Sequence, residues 1–107
     1  MTQIEKAIKS SSKARRYRLQ FAQELHKHDL SYLQLECLHE INKARYQPSH
    51  LADNLSLERA SVSRVLKELD DKKLITYIRD TVDRRNVYVE ISKKGKSILN
   101  SIETATS

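Results

Sequence analysis

The sequence predicts a mainly α-helical fold with a small β-hairpin wing, a winged helix-turn-helix, and three observations predict it. Val62, Val65, Leu66 and Leu69 recur at i, i+3, i+4 and i+7, which makes one face of a helix apolar and leaves Arg59, Ser61, Ser63, Arg64 and Lys67 on the remaining surface. Immediately upstream, Pro48 to Asn54 reads as a short helix with Leu51 and Leu55 inward. Two helices joined by so brief a connection form a helix-turn-helix. Downstream, Leu74-Ile75-Thr76-Tyr77-Ile78-Arg79 and Asn86-Val87-Tyr88-Val89-Glu90-Ile91 are strand patterns on either side of a polar, arginine-bearing turn.

The elements follow in order. Ile4, Ala7 and Ile8 begin a helical pattern that meets Ser10-Ser11-Ser12, which either break the helix or line its wet side. Tyr17, Phe21 and Leu25 repeat every four residues and carry the same helix, or a following one, to about His28. The cluster Lys13-Ala14-Arg15-Arg16-Tyr17-Arg18 reads either as a solvated helix face or as a surface lying against phosphates that flank a bound site. Asp29-Leu30-Ser31 interrupts the pattern. Ser31 caps a new helix whose Leu33, Leu35, Cys37, Leu38 and Ile41 leave few positions free of apolar side chains, so it is central and buried on much of its circumference. That helix ends near Ala44-Arg45, because Tyr46-Gln47-Pro48 is turn chemistry and Pro48 suits the first turn of the next helix. Cys37 is expected to be a small core residue rather than a redox sensor, since no flanking cation lowers its pKa.

Ser56 is the expected N-cap of the next helix, with Glu58 placing negative charge in its first turn, so the helix should start at Ser56 or Leu57. Asp70-Asp71-Lys72-Lys73 closes it, with Lys73 at a position where a positive φ would favour Gly. The hairpin tip, Arg79-Asp80-Thr81-Val82-Asp83-Arg84-Arg85, mixes two carboxylates with three guanidiniums. Internal pairing should stiffen it, with Arg79 and Asp83 orienting the loop and Arg84 or Arg85 left to enter a narrow minor groove. The plainer alternative is a set of surface ion pairs of little value. Ser92 caps a last helix through Ile98, Leu99 and Ile102, and Thr104 to Ser107 are expected to fray.

At 107 residues the chain is expected to form one domain, with residues 1–28 as an N-terminal helical segment, 29–91 as the winged core and 92–107 as a short C-terminal helix. No run approaches the length of a membrane span and no apolar signal region opens the chain, so a cytoplasmic location is expected. The single Cys37 makes no internal disulfide, which agrees with a reducing compartment. A net charge of +6 points to nucleic acid more often than to a membrane surface. Its distribution matters more than its sum. Residues 1–46 carry nine Lys/Arg against five acids and residues 92–107 three against one, while residues 47–91 balance eight against eight.

An enzyme is not expected: there is no glycine-rich phosphate loop, no nucleophile patterned with a base and no paired carboxylates on an apolar background. Neither cofactor nor metal is expected. His26, His28, His39 and His50 with Glu24, Glu36 and Glu40 could in principle supply zinc ligands, but His26 and His28, two apart on a helix, face different ways. In a helix-turn-helix the second helix enters the major groove with its N-terminal residues nearest the bases. Arg59, Ser61, Ser63 and Arg64 are therefore expected to face the groove and Lys67 to contact phosphate.

Leu51-Ala52-Asp53-Asn54-Leu55, Ala60-Ser61-Val62-Ser63-Arg64, Leu69 through Ile75, Arg79 with Asp83-Arg84-Arg85 at wing spacing, and Ile91-Ser92-Lys93-Lys94-Gly95 together resemble the multiple-antibiotic-resistance regulator (MarR) family, from roughly Leu30 to Leu99. The resemblance implies a dimeric winged-helix transcriptional regulator, usually a repressor, that binds double-stranded DNA at a pseudo-palindromic operator with a wing arginine in the minor groove. A small-molecule effector is common among similar proteins, and nothing in the sequence names one. The chain departs from the family at Lys73, where Gly is usual, and by stopping before the long final helix. In length it looks more like the short staphylococcal accessory regulators. Dimerisation is then expected to use Ile4, Ile8, Tyr17, Phe21 and Leu25 with Ile98, Leu99 and Ile102. The competing function class is a winged-helix protein-interaction module that binds another regulator or polymerase. Duplex binding that falls steeply with salt would discriminate the two.

Overall fold

The computed structural model describes residues 1–107 as α1 (Gln3–Lys27), α2 (Tyr32–Lys43), α3 (Pro48–Leu55), α4 (Arg59–Asp71), β1 (Ile75–Arg79), β2 (Val87–Ile91) and α5 (Lys93–Thr106). α1 is unbroken. Ser10 and Ser11 lie on exposed positions within it and Ser12 is only half-buried, so the serine run lines a wet side rather than ending the helix. Thr2 begins α1 by accepting the Glu5 N–H at 3.1 Å. Ser31 begins α2 with a reciprocal capping box. Its Oγ accepts the Gln34 N–H at 3.0 Å, and the Gln34 Oε1 accepts the Ser31 N–H at 3.0 Å.

α2 is the hub, packed against α1, α3, α4, α5 and β2. Leu38 and Cys37 are fully buried in it, and Leu51, Leu66, Leu69, Leu74 and Val89 close around them from the other elements. Burial, and secondarily the neighbouring Glu36 carboxylate, pushes the Cys37 thiol up to about 11. Cys37 should accordingly resist a thiol-reactive disulfide reagent in native buffer and react in full once the chain is unfolded. A kinetic thiol assay with and without denaturant checks this, and fast native labelling would place the thiol outside the core.

The start of α4 corrects the expectation for Ser56. Ser56 sits at φ 55° and ψ 43° and closes α3, its N–H reaching the Asp53 carbonyl at 3.2 Å while the Leu57 N–H reaches Ala52 at 2.9 Å. A residue spent on stopping one helix in the left-handed region lacks the extended backbone of an N-cap. α4 therefore begins at Arg59, two or three residues later than expected, and Glu58 is its N-cap rather than a first-turn residue, with no side-chain hydrogen bond. At the other end Lys73 does take a positive φ, 63°, at a cost of roughly 1 kcal/mol for a residue with a Cβ. The C-terminus is a second correction. α5 stays helical through Thr106, whose Oγ1 donates to the Ile102 carbonyl at 2.7 Å, and the Ser107 Oγ donates to Thr104 at 3.0 Å, so the last turn is closed by its own hydroxyls.

β1 and β2 pair antiparallel with Tyr77 opposite Val89. The α2–α3 connection adds a third edge: Tyr46 and Val89 exchange both backbone hydrogen bonds, at 3.3 and 2.8 Å, which ties the base of the wing to the loop that opens the helix-turn-helix. On the far side α1 packs against α5 and α2. Of the residues expected to dimerise, Leu25 and Ile102 are only 6% and 2% exposed and belong to the core of the single chain, which corrects their assignment. Phe21, Ile98 and Leu99 are half-buried against that core, while Ile4, Ile8 and Tyr17, joined by Leu19, stand exposed. An open cleft of about 410 Å³ lies where α1, α2 and α5 meet, walled by Phe21, Tyr32, Leu35 and Leu99.

Candidate nucleic-acid interface

α4 turns Val62, Val65, Leu66 and Leu69 inward, which fixes what the opposite face presents. Arg59, Ser63, Arg64 and Lys67 are exposed and Ser61 is half-buried at the flank of that face. None of the five side chains makes a hydrogen bond or ion pair within the chain. Ala60, one turn before Arg64, is also exposed; its single methyl leaves the helix backbone free to approach a surface closely. The i to i+4 relation to Arg64 was the signal that could have found it.

The far end of α4 is anchored to the start of α2. The Gln34 Nε2 donates to the Glu68 Oε1 at 3.2 Å, the Lys72 Nζ donates to the Gln34 Oε1 at 3.1 Å and to the Asp29 carbonyl, and it lies 3.7 Å from the Asp29 carboxylate. Gln34, buried to 6% exposure, thus has both its amide oxygen and its amide nitrogen hydrogen-bonded. A second set of bonds holds α3: the Tyr46 hydroxyl and the Asn54 Nδ2 both donate to the Glu40 Oε1, at 2.8 and 2.9 Å. The Tyr46 hydrogen bond, with help from Lys43, holds the Glu40 carboxyl below the usual carboxylate range. Neither set has a local sequence signature, because the partners sit on different elements and meet only in the folded chain.

The wing tip is built from its own polar groups. Asp80 accepts the Val82 N–H at 2.8 Å, the Asn86 N–H reaches the Asp83 carbonyl at 3.0 Å, and the Asp80 N–H reaches Asn86 at 2.9 Å. Asp83 takes Arg85 side-on, Nε to Oδ1 and a terminal nitrogen to Oδ2, both at 3.1 Å, and also accepts the Arg85 N–H at 3.1 Å. These bonds hold the Asp83 carboxyl below its ordinary range. The Arg79 guanidinium donates to the Arg84 carbonyl. Of the three arginines Arg84 alone has a side chain without a partner in the chain. No group of three His, Cys, Asp or Glu side chains gathers closely enough to hold a metal ion, and no helix is long and apolar enough to cross a membrane.

Comparison with known proteins agrees with this architecture. The chain is 29% identical over 79 residues to the HTH-type transcriptional regulator MhqR of Bacillus subtilis, a match that covers 73% of this chain and 54% of MhqR. It thus spans about half the length of the curated relative it matches. Among solved structures, the transcriptional regulator BldR of Sulfolobus solfataricus superposes with a TM-score of 0.74 at 26% identity, covering 97% of this chain and 78% of BldR. Wild-type MarR of E. coli in its apo form reaches a TM-score of 0.84 at 19% identity, over all of this chain and 78% of MarR, and so shares the fold. A family model described as transcriptional regulator SarA/Rot matches residues 20–102, which takes in every element from the last third of α1 to most of α5. The chain belongs to the SarA/Rot family of transcriptional regulators.

Proposed function

We propose that this chain is a sequence-specific double-stranded-DNA-binding regulator of transcription, acting in the cytoplasm as a homodimeric repressor on a pseudo-palindromic operator. α4 enters the major groove with Arg59, Ala60, Ser63 and Arg64 foremost, Ser61 at the flank and Lys67 on phosphate, and Arg84 reaches the minor groove. The observation that carries this reading is a contrast in bonding. Gln34, Glu40, Glu68, Lys72 and Asp83, which brace α4 and the wing, are engaged with other side chains, while the cationic and hydroxyl groups of one α4 face, together with Arg84, have no partner inside the chain. An α-helix fits the major groove and an arginine there reads guanine through two hydrogen bonds. The homodimer is supported by Ile4, Ile8, Tyr17 and Leu19 standing exposed on α1, beside the half-buried Phe21, Ile98 and Leu99.

Selection of bound duplexes from a random pool tests the proposal. An inverted repeat should be enriched. Lys67→Ala should then weaken binding to all sequences alike and lower the salt slope by about 1, whereas Arg64→Ala should cost about 1–3 kcal/mol and relax preference at one base pair of each half-site. Failure to enrich any motif, with the protein instead retaining a polymerase or regulator, would favour the protein-interaction reading. Sedimentation equilibrium that gives a monomer would remove the dimer.

A further inference from the structure

The positive charge of the chain does not sit on the reading head. Residues 1–20 hold six Lys/Arg against one acid, whereas residues 47–91 are balanced. The structure sorts those six into two groups. Arg15 bonds to the Ser12 hydroxyl at 3.4 Å, and the Arg18 guanidinium lies 5.0 Å from the centre of the Tyr32 ring, so both are engaged within the chain. The side chains of Lys6, Lys9, Lys13 and Arg16 are exposed and make no hydrogen bond or ion pair. Their spacing, i, i+3, i+7 and i+10, draws one stripe along α1 about 15 Å long at 1.5 Å per residue. A duplex carries one charge per roughly 1.7 Å of its axis, so a stripe of that length spans several phosphates.

The stripe lies on α1, a different helix from α4, and α1 packs against α5 and α2. Lys72, just past the C-terminal end of α4, bonds to Asp29, just past the C-terminal end of α1. α1 therefore joins α4 at the end opposite Arg59 and Ser63. We propose that Lys6, Lys9, Lys13 and Arg16 form a second, sequence-independent binding surface for duplex DNA, which takes the phosphate backbone of a segment other than the one read by α4 and the wing. This deepens the function proposed above and rests on it for the first segment only. A membrane surface is the weaker occupant, because an interfacial helix needs a broad apolar face opposite its charges. On that side of α1, Ile4 and Ile8 give way to Ser11 and Arg15 within two further turns.

The test immobilises a selected operator duplex, saturates it with the full chain and measures capture of a second, labelled duplex of random sequence. Wild type should capture it, with a strong loss on raising salt. The variant K6Q/K9Q/K13Q/R16Q should still occupy the operator but lose second-duplex capture by about tenfold or more, and its salt slope on random duplex should fall by about 0.9 for each contact removed. K6R/K9R/K13R, which keeps the charge, should capture like wild type. The proposal is overturned if the glutamine variant captures as well as wild type, if wild type captures nothing, or if vesicles rich in anionic phospholipid are bound in preference to duplex. The two readings fail separately. Absence of any selected operator would sink sequence-specific reading, while loss of random-duplex binding in the glutamine variant would still stand.

Discussion

Arg84→Ala is expected to weaken operator binding roughly 5- to 150-fold, the 1–3 kcal/mol of a groove arginine, while Arg85→Ala is expected to cost no more than about 5-fold. The asymmetry comes from the hydrogen bonds of the tip. Arg85 has its guanidinium committed to Asp83, and its side chain is 90% exposed, so what it loses on truncation is a surface ion pair and some stiffness of the loop. Arg84 has its backbone fixed, through the carbonyl that accepts from Arg79, and its guanidinium free. A fixed root limits the backbone entropy lost on binding, and a free tip leaves the guanidinium available to a narrow groove. Fluorescence anisotropy on one operator with both single variants measures the difference. A larger loss for Arg85→Ala would reverse the assignment.

The Asp83 brace also sets a pH expectation for the same assay. Its carboxyl is held below the usual range by Arg85, so the brace is fully formed at any pH above the ordinary carboxylate pKa and is lost only as pH falls through the lowered one. Operator affinity should owe no pH dependence to Asp83 between pH 6 and 8. Dependence found there would come from other groups.

What the sequence reveals about this molecule follows from which interactions are local. Val62, Val65, Leu66 and Leu69 announce the buried face of α4 because a helix repeats every 3.6 residues, and all four are buried. Ser31 with Gln34 and Ser92 with Gly95 announce helix starts because a cap acts over three residues, and both serines accept the expected N–H. Ser56 misled for the same reason. Its hydroxyl suits an N-cap, but the connection between α3 and α4 is so short that one residue must first close α3, and a backbone in the left-handed region settled its role. Leu25 and Ile102 show a different limit. Periodicity says that a face is buried without saying by what, and these two are covered by their own chain rather than left for a partner. The pairs that aim α4, Gln34 with Glu68 and Lys72 with Asp29, were illegible because only the folded topology brings such distant positions together.

The one glycine carries the second large expected effect. Gly95 lies in the first turn of α5, where its N–H donates to the Ser92 Oγ at 3.0 Å, and a Cβ added there would meet the Leu74 carbonyl oxygen and come within 2.7 Å of the Ile91 Cγ1. Neither neighbour can easily retreat. The Leu74 carbonyl is held by the Ser92 N–H at 2.9 Å, and Ile91 is paired in the strand with Ile75. The Ser92 hydroxyl and the Lys94 Nζ add bonds to the Lys73 and Lys72 carbonyls, at 2.8 and 3.2 Å, so the start of α5 clamps the turn that joins α4 to the wing. Helix propensity favours Ala over Gly by about 1 kcal/mol, but overpacking commonly costs about 1–3 kcal/mol, and against fixed backbone the upper part of that range, about 2–3 kcal/mol, applies, so it should win. Gly95→Ala should therefore lower stability by about 1–2 kcal/mol net and Tm by roughly 5–15 °C, as read by calorimetry. Because the displaced turn connects the two elements proposed to face DNA, operator affinity measured well below the lowered Tm should fall as well. A Tm equal to or above that of wild type would mean that α5 does not seat against Leu74.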